Sequence, residues 1–434
     1  MRIPKACCLA CLLAIVVVAV LSGCESEPDQ RLEPEAFPSA WDLPPLCEPP
    51  DPFALFRTGE RIETPQEWRD LRRPEIMALF EHYVYGAAPG RPAGMEWTIW
   101  DEEPAALGGI AVRKQVEIQL GGERAPTMHL LLYVPNDVDS PVPVFLGLNF
   151  YGNHTVIDDP AVPLSDQWVP NRGEGVVDNH ATEASRGTAI DRWSIEQTLG
   201  RGYAVATVYH GDIDPDFNDF SNGIHPLYYE PGHDRPGPSE WGTIASWAWG
   251  LNRAMDYLAT EPLVEAGRVA VMGHSRNGKA ALLAGATDER IAAVISNQSG
   301  CVGAALSRRR KGETLFWINL VYPHWFCGNF KSFMAREKHL PLDQHLLIAL
   351  VAPRPVLVLS GLDDWWSDPE GEFLGTRGAG PVYQLLGAGG LEADWMPALG
   401  EIAGGPLAYH IREGGHAIGS ADWAVFADFA DEYL

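Results

Sequence analysis

The segment RVAVMGHSRNGKAALLAG, Arg268 to Gly285, constrains the fold more than any other stretch of the chain. Arg268 to Met272 reads as a buried strand, and the helical pattern through Ala286 begins at Arg276 or Asn277. Only Gly273, His274 and Ser275 separate the two. A strand running straight into a helix, with serine at the turn, is the strand-elbow-helix unit of an α/β sheet. The pattern is a variant, because Asn277 stands two past the serine, where G-x-S-x-G has glycine, and Gly278 comes one residue late.

Elsewhere the same alternation recurs. VRKQVEIQL, MHLLLYVP and PVPVFLGLNF read as strands, and SIEQTLG as a helix leading into a strand from Ala204 to Tyr209. TIASWAWGLNRAMDYLAT has helical spacing, IAAVISNQSG and PRPVLVLSGLDD repeat strand then loop, and Leu407 to Ile411 is a strand before a final helix. An insertion from Cys301 to Asp343 interrupts the series. This order predicts an α/β-hydrolase fold, a mostly parallel central sheet with helices on both faces in a three-layer sandwich. Active residues are then expected in loops after the carboxyl ends of strands.

The opening MRIPKACCLACLLAIVVVAVLSGC has cationic Arg2 and Lys5 before an apolar run too short for a good membrane span. Residues 1–23 are expected to be an export signal, and Leu21-Ser22-Gly23-Cys24 resembles a bacterial lipobox. Cys24 would then carry the lipid anchor of an envelope lipoprotein, with a periplasmic or secreted protein as the alternative. Residues 24–52, rich in Pro and acid, are expected to be a tether, and 53–434 a single catalytic domain. A net charge of −26, from 32 basic against 58 acidic residues, excludes nucleic acid as a partner, since nothing would neutralise its phosphates. A monomer touching membrane only through its anchor is expected. Cys301 and Cys327 are the expected disulfide, and no cysteine or histidine spacing suggests a metal or cofactor.

Ser275 is the candidate nucleophile, since the elbow lifts its hydroxyl clear and aims the first helical N-H groups at a developing oxyanion. The base must follow in the order serine, acid, histidine, and His416 in HIREGGHAIGS fits, on a glycine-rich loop before the last helix. His324, His345 and His410 are expected to be packing or substrate residues. Three acids compete in LSGLDDWWSDPEGEF: Asp364 suits the imidazole, Asp368 before Pro369 suits a cap, and Asp363 stays open. GLNFYGNHT, with Gly152, occupies the loop that supplies a second oxyanion donor, or else forms a plain turn. Asp212, Asp214 and Asp216 fail the EF-hand pattern and are expected to shape their loop through hydrogen bonds. Trp317, Trp325, Trp365 and Trp366, near Arg308, Arg309, Arg310 and Lys311, suit a sugar site, with at least half of the tryptophans expected in the core.

GHSRNGK, SGCVGAALSRR, PHWFCGNF, DQHLLIALVAPRP and DDWWSDPEGEF together resemble the bacterial glucuronoyl esterases, carbohydrate esterase family fifteen, from about Arg61 onward. The resemblance implies hydrolysis of esters between (4-O-methyl)glucuronic acid, a xylan branch, and alcohols such as those of lignin; acetyl xylan or another carbohydrate ester is the alternative substrate. It implies Ser275 as nucleophile, His416 as base, Arg276 as oxyanion partner, and Lys279, Glu313 and Trp366 as substrate contacts, with Trp365 competing for the last role. Some family members place their acid where this chain has Gln298, which leaves Asp364. Fungal members carry a disulfide where His274 and Ala417 stand here.

Overall fold

In the computed structural model, which describes residues 37–139, 141–229 and 232–434, the apolar runs become strands. They are β1 (Glu96–Ala105), β2 (Ala111–Gln119), β3 (Thr127–Pro135), β4 (Val142–Asn149), β5 (Val176–Val177), β6 (His180–Ala181), β7 (Ala204–Tyr209), β8 (Val264–His274), β9 (Ala293–Asn297), β10 (Val356–Gly361), β11 (Ile402–Gly404) and β12 (Leu407–Arg412). β5 and β6 form a small hairpin, and the rest make one sheet ordered β1-β2-β3-β7-β4-β8-β9-β10-β12-β11. Neighbours from β7 to β12 run parallel, while β1, β2, β3 and β11 pair antiparallel at the edges.

Strand side chains alternate between faces, so each central strand feeds two cores. Val269 and Val271 of β8 join Val356 and Val358 of β10 in one, beneath helices Thr243–Leu258, Arg276–Thr287 and Pro369–Leu385. Ala270, Met272, Leu357 and Leu359 point into the other, against Trp423, Phe426 and Phe429 of helix Ser420–Tyr433. Burial on both sides is why these strands are apolar throughout. β1 was not legible because its residues, among them Asp101, Glu102 and Glu103, lie largely exposed at a sheet edge.

Two expectations are corrected. The tether does not extend to residue 52: Phe37, Ala40 and Leu43 are buried in the main core. Tyr83 Oη donates to Pro38 O at 2.6 Å, Leu46 N to Lys338 O at 2.7 Å, and His345 Nε2 lies 2.8 Å from Pro50 O. A few apolar anchors and docked carbonyls hold this strap despite its average polarity. Cys301 and Cys327 are free buried thiols rather than a disulfide. Cys301 Sγ faces Ser307 Oγ and Cys327 Sγ faces His82 O, each at 3.7 Å, so the sulfurs sit in separate packing environments. The export signal and Cys24 lie outside the described residues. Among those described, no helix is long and apolar enough to cross a membrane.

Candidate active site

Ser275 joins β8 to helix Arg276–Thr287 with φ 59° and ψ −128°. Such a conformation costs a non-glycine residue about 1–3 kcal/mol and persists only where its surroundings enforce it. Gly273 lets the helix cross the strand, because a Cβ there would come within 2.1 Å of Asn277 O. At Gly278 a Cβ would meet Gly273 O and Ser299 Cβ at 3.0 Å. Asn277 is buried, donating through Nδ2 to Leu148 O at 2.9 Å, with Oδ1 3.1 Å from His210 Nδ1. In place of a packing glycine, the variant elbow carries an amide that ties the helix to the end of β4.

His416, in the loop after β12, lies with Nε2 2.9 Å from Ser275 Oγ and Nδ1 2.7 Å from Asp364 Oδ2. Burial pushes the Asp364 carboxyl up, but hydrogen bonds from His416 and Ser367 outweigh it and hold the group below the ordinary carboxylate value. Asp363 is exposed. Asp368 caps helix Pro369–Leu385, accepting from Gly371 N at 3.1 Å and pairing with Arg309 at 2.8 Å. The structure thus brings one of the three acids to the imidazole.

Arg276 ion-pairs with buried Asp216, its guanidinium 4.6 Å over the Trp325 ring and 5.1 Å over Tyr322. Asp216 also accepts from Trp325 Nε1 at 2.8 Å and lies 3.1 Å from His324 Nε2. Burial would raise its pKa; the Arg276 charge and these bonds hold it well below the ordinary carboxylate value. Arg276 Nε is buried with no partner among the described residues. The other two acids of that loop turn elsewhere, Asp214 accepting from Thr243 Oγ1 at 2.6 Å and Asp212 from His129 N at 2.9 Å.

Lys279 Nζ is buried, donating to Ser299 O and Cys301 O at 2.6 Å and to Glu313 Oε2 at 3.3 Å. Glu313 N donates to Trp366 O at 2.8 Å, linking the three expected substrate contacts. Trp366 is partly exposed, and Trp365, more exposed, meets it edge-on at 5.4 Å. Arg308 pairs with Asp343, Arg309 with Asp368 and Arg310 with Glu337, so these guanidiniums bind the protein's own carboxylates. The Gly152 N-H donates to Asn149 Oδ1 at 2.8 Å. Its positive φ of 107° serves a turn that Asn149 closes.

A carbohydrate esterase from an unknown prokaryotic organism is 47% identical to this chain over 97% of each protein. The solved structure of a promiscuous esterase of carbohydrate esterase family fifteen, from a marine bacterial metagenome, is 48% identical, covering 91% of this chain and 99% of that one with a TM-score of 0.83. The chain belongs to carbohydrate esterase family fifteen. A glucuronoyl esterase from Solibacter usitatus is 44% identical, covering 91% of this chain and 100% of that one with a TM-score of 0.85. The family model described as glucuronyl esterase, fungi, matches residues 193–387.

Two residues of this esterase were invisible as site residues in the sequence. Gln298 brackets His416: Nε2 donates to Gly415 O at 3.2 Å, and Oε1 accepts from Ala417 N at 3.0 Å. Glu372 accepts from Gly300 N at 2.9 Å and Ser360 Oγ at 2.5 Å behind the acid loop. Nothing local in DPEGEF distinguishes it, because its contacts come from the end of β10 and the loop after β9. Burial pushes its pKa from 4.5 up to about 8. Between those values the unfolded chain ionises while the folded one keeps its proton, so this group's contribution to stability is present below pH 4.5 and lost as pH rises through about 8. Glu372→Gln, which mimics the protonated acid, is expected to remove that loss. Its melting temperature relative to wild type should rise between about pH 5 and about pH 8, and a constant difference would count against a buried neutral acid.

Proposed function

We propose that this esterase hydrolyses esters of (4-O-methyl)glucuronic acid on xylan, including links to lignin alcohols, by acyl transfer to Ser275. The observation that carries the reading is the hydrogen-bonded series from Ser275 through His416 to Asp364, at 2.9 and 2.7 Å, beside a charged Arg276. His416 takes the Ser275 proton as Oγ attacks the ester carbonyl and returns it to the departing alcohol; water then attacks the glucuronoyl-enzyme by the same route. Asp364 holds the imidazole in the tautomer that accepts at Nε2. The backbone N-H of Arg276, at the first helical position, has no acceptor within the helix, and the side chain adds a donor and a charge for the oxyanion.

The Asp216 pair and the Trp325 and Tyr322 rings support this role for Arg276, because they fix a flexible cation before substrate arrives. Arg276→Met is expected to lower kcat by about 10²–10³-fold with a smaller change in KM. A change in KM alone, read from initial rates, would make Arg276 a binding residue only. Lys279, Glu313 and Trp366 are proposed to bind the uronate, and the buried Lys279-Glu313 pair supports a rigid pocket floor.

The test is a panel of methyl and benzyl glucuronate against acetylated xylan, with wild type and Ser275→Ala. Cleavage of acetyl groups but not of the uronate esters would overturn the substrate assignment. The promiscuous relative favours a second reading, acceptance of both ester types, which the same panel reads directly. Export and anchoring at Cys24 belong to this proposal, since the polymer lies outside the cell; Cys24→Ala should move the esterase from the membrane fraction to the soluble one.

A further inference from the structure

A cavity of about 310 Å³ lies over the antiparallel side of the sheet, where β1, β2, β3 and the end of β7 meet, and nothing in the proposed mechanism uses it. Its volume is in the range of small-ligand sites. Trp100 forms part of its wall. The pairing of β1 with β2 slips between Ile99 and Asp101, so Trp100 is the bulged residue, and it is 44% exposed. A bulge re-aims a side chain.

A held histidine also lines the cavity. Asp212, buried, accepts from His129 N at 2.9 Å and lies 3.0 Å from Nδ1, while the His129 side chain keeps 41% of its surface. One carboxylate thus fixes the ring through its backbone and one nitrogen, leaving Nε2 without a protein partner among the described residues. Glu117, Ser165 and Asp166 add acceptors and a hydroxyl to the lining.

An exposed indole offers a flat apolar face, and a ring of acceptors with one orientable histidine offers partners for hydroxyl groups. The carboxylates disfavour an anionic ligand. We infer that this cavity binds an uncharged pyranose residue of the polysaccharide that carries the esterified uronate. The register Leu130↔Val208 sets the start of β3 against the end of β7, so His129 lies toward the same end of the strands as Ser275. Three strand spacings separate His129 on β3 from β8, about 14 Å, and five separate Trp100 on β1 from it, about 24 Å. Asp212 is also in the loop whose Asp216 pins Arg276.

The inference takes the identity of the polymer from the proposed function, and its test separates the two. Calorimetry with neutral xylotetraose, compared between wild type and Trp100→Ala, reads the cavity, and kinetics on methyl glucuronate read the esterase alone. Kinetics on a xylo-oligosaccharide bearing a methyl glucuronate branch read both. Trp100→Ala is expected to weaken xylotetraose binding about tenfold and to raise KM on the branched ester by a similar factor, a loss of about 1.4 kcal/mol. Its kcat on both esters, and its KM on methyl glucuronate, should stay within about twofold of wild type. Trp100→Phe should recover most of the binding by keeping an aromatic face. Failure of wild type to bind xylotetraose while cleaving methyl glucuronate would overturn the inference and leave the proposed function standing, as would equal effects of Trp100→Ala on both esters. Xylotetraose binding by a protein inactive on methyl glucuronate would uphold the cavity and reject the proposed function.

Discussion

Ser275→Ala is expected to lower kcat/KM on benzyl glucuronate by about 10⁶-fold, as loss of the nucleophile does in other serine hydrolases. The size of the effect follows from the geometry. His416 Nε2 lies 2.9 Å from the serine oxygen and cannot direct an alanine methyl to the carbonyl. What remains in the variant is substrate binding and the oxyanion donors acting on bulk water, so a residual rate above the uncatalysed one is expected. Titration with a fluorophosphonate probe provides the second measurement, with stoichiometric labelling of wild type and none of the variant. A variant retaining more than about a hundredth of wild-type activity would move the nucleophile elsewhere.

Asp364→Asn is expected to lower kcat by about 10⁴-fold with little change in KM. An amide at 364 would donate to Nδ1 where the carboxylate accepts from it. The ring would then carry its proton on Nε2 and lose the lone pair that receives the Ser275 proton. The hydrogen bonds that hold Asp364 below the ordinary carboxylate value are made by the same groups that orient the ring, His416 and Ser367. Initial rates on benzyl glucuronate at neutral pH check it. Undiminished kcat would transfer the role to exposed Asp363 or to Asp368, which caps a helix and pairs with Arg309.

Local sequence carried the elbow because its constraint is local. The crossing of β8 by its helix depends on residues within a few positions of Ser275, and a Cβ at Gly273 would strike Asn277 in the same turn. The central strands were legible for a similar reason: burial on both faces demands apolar residues at every position. The same reading failed for β1, whose exposed face removes that demand, and for residues 37–52, where composition averaged over a few decisive anchors. It failed for the cysteines because pairing depends on where two distant loops point their sulfurs.

By itself, then, the sequence determined the α/β order, the serine at its turn and a set of candidate bases and acids, all properties of short segments. Only the tertiary structure decided among the candidates. Asp364 rather than Asp363 or Asp368 reaches His416, an interaction across 52 positions. Asp216, 60 positions before Arg276, pins its guanidinium. Gln298 brackets the histidine loop from 117 positions away. The direction of a side chain at the end of a strand depends on the sheet order and the loops packed above it, which no neighbouring residue records.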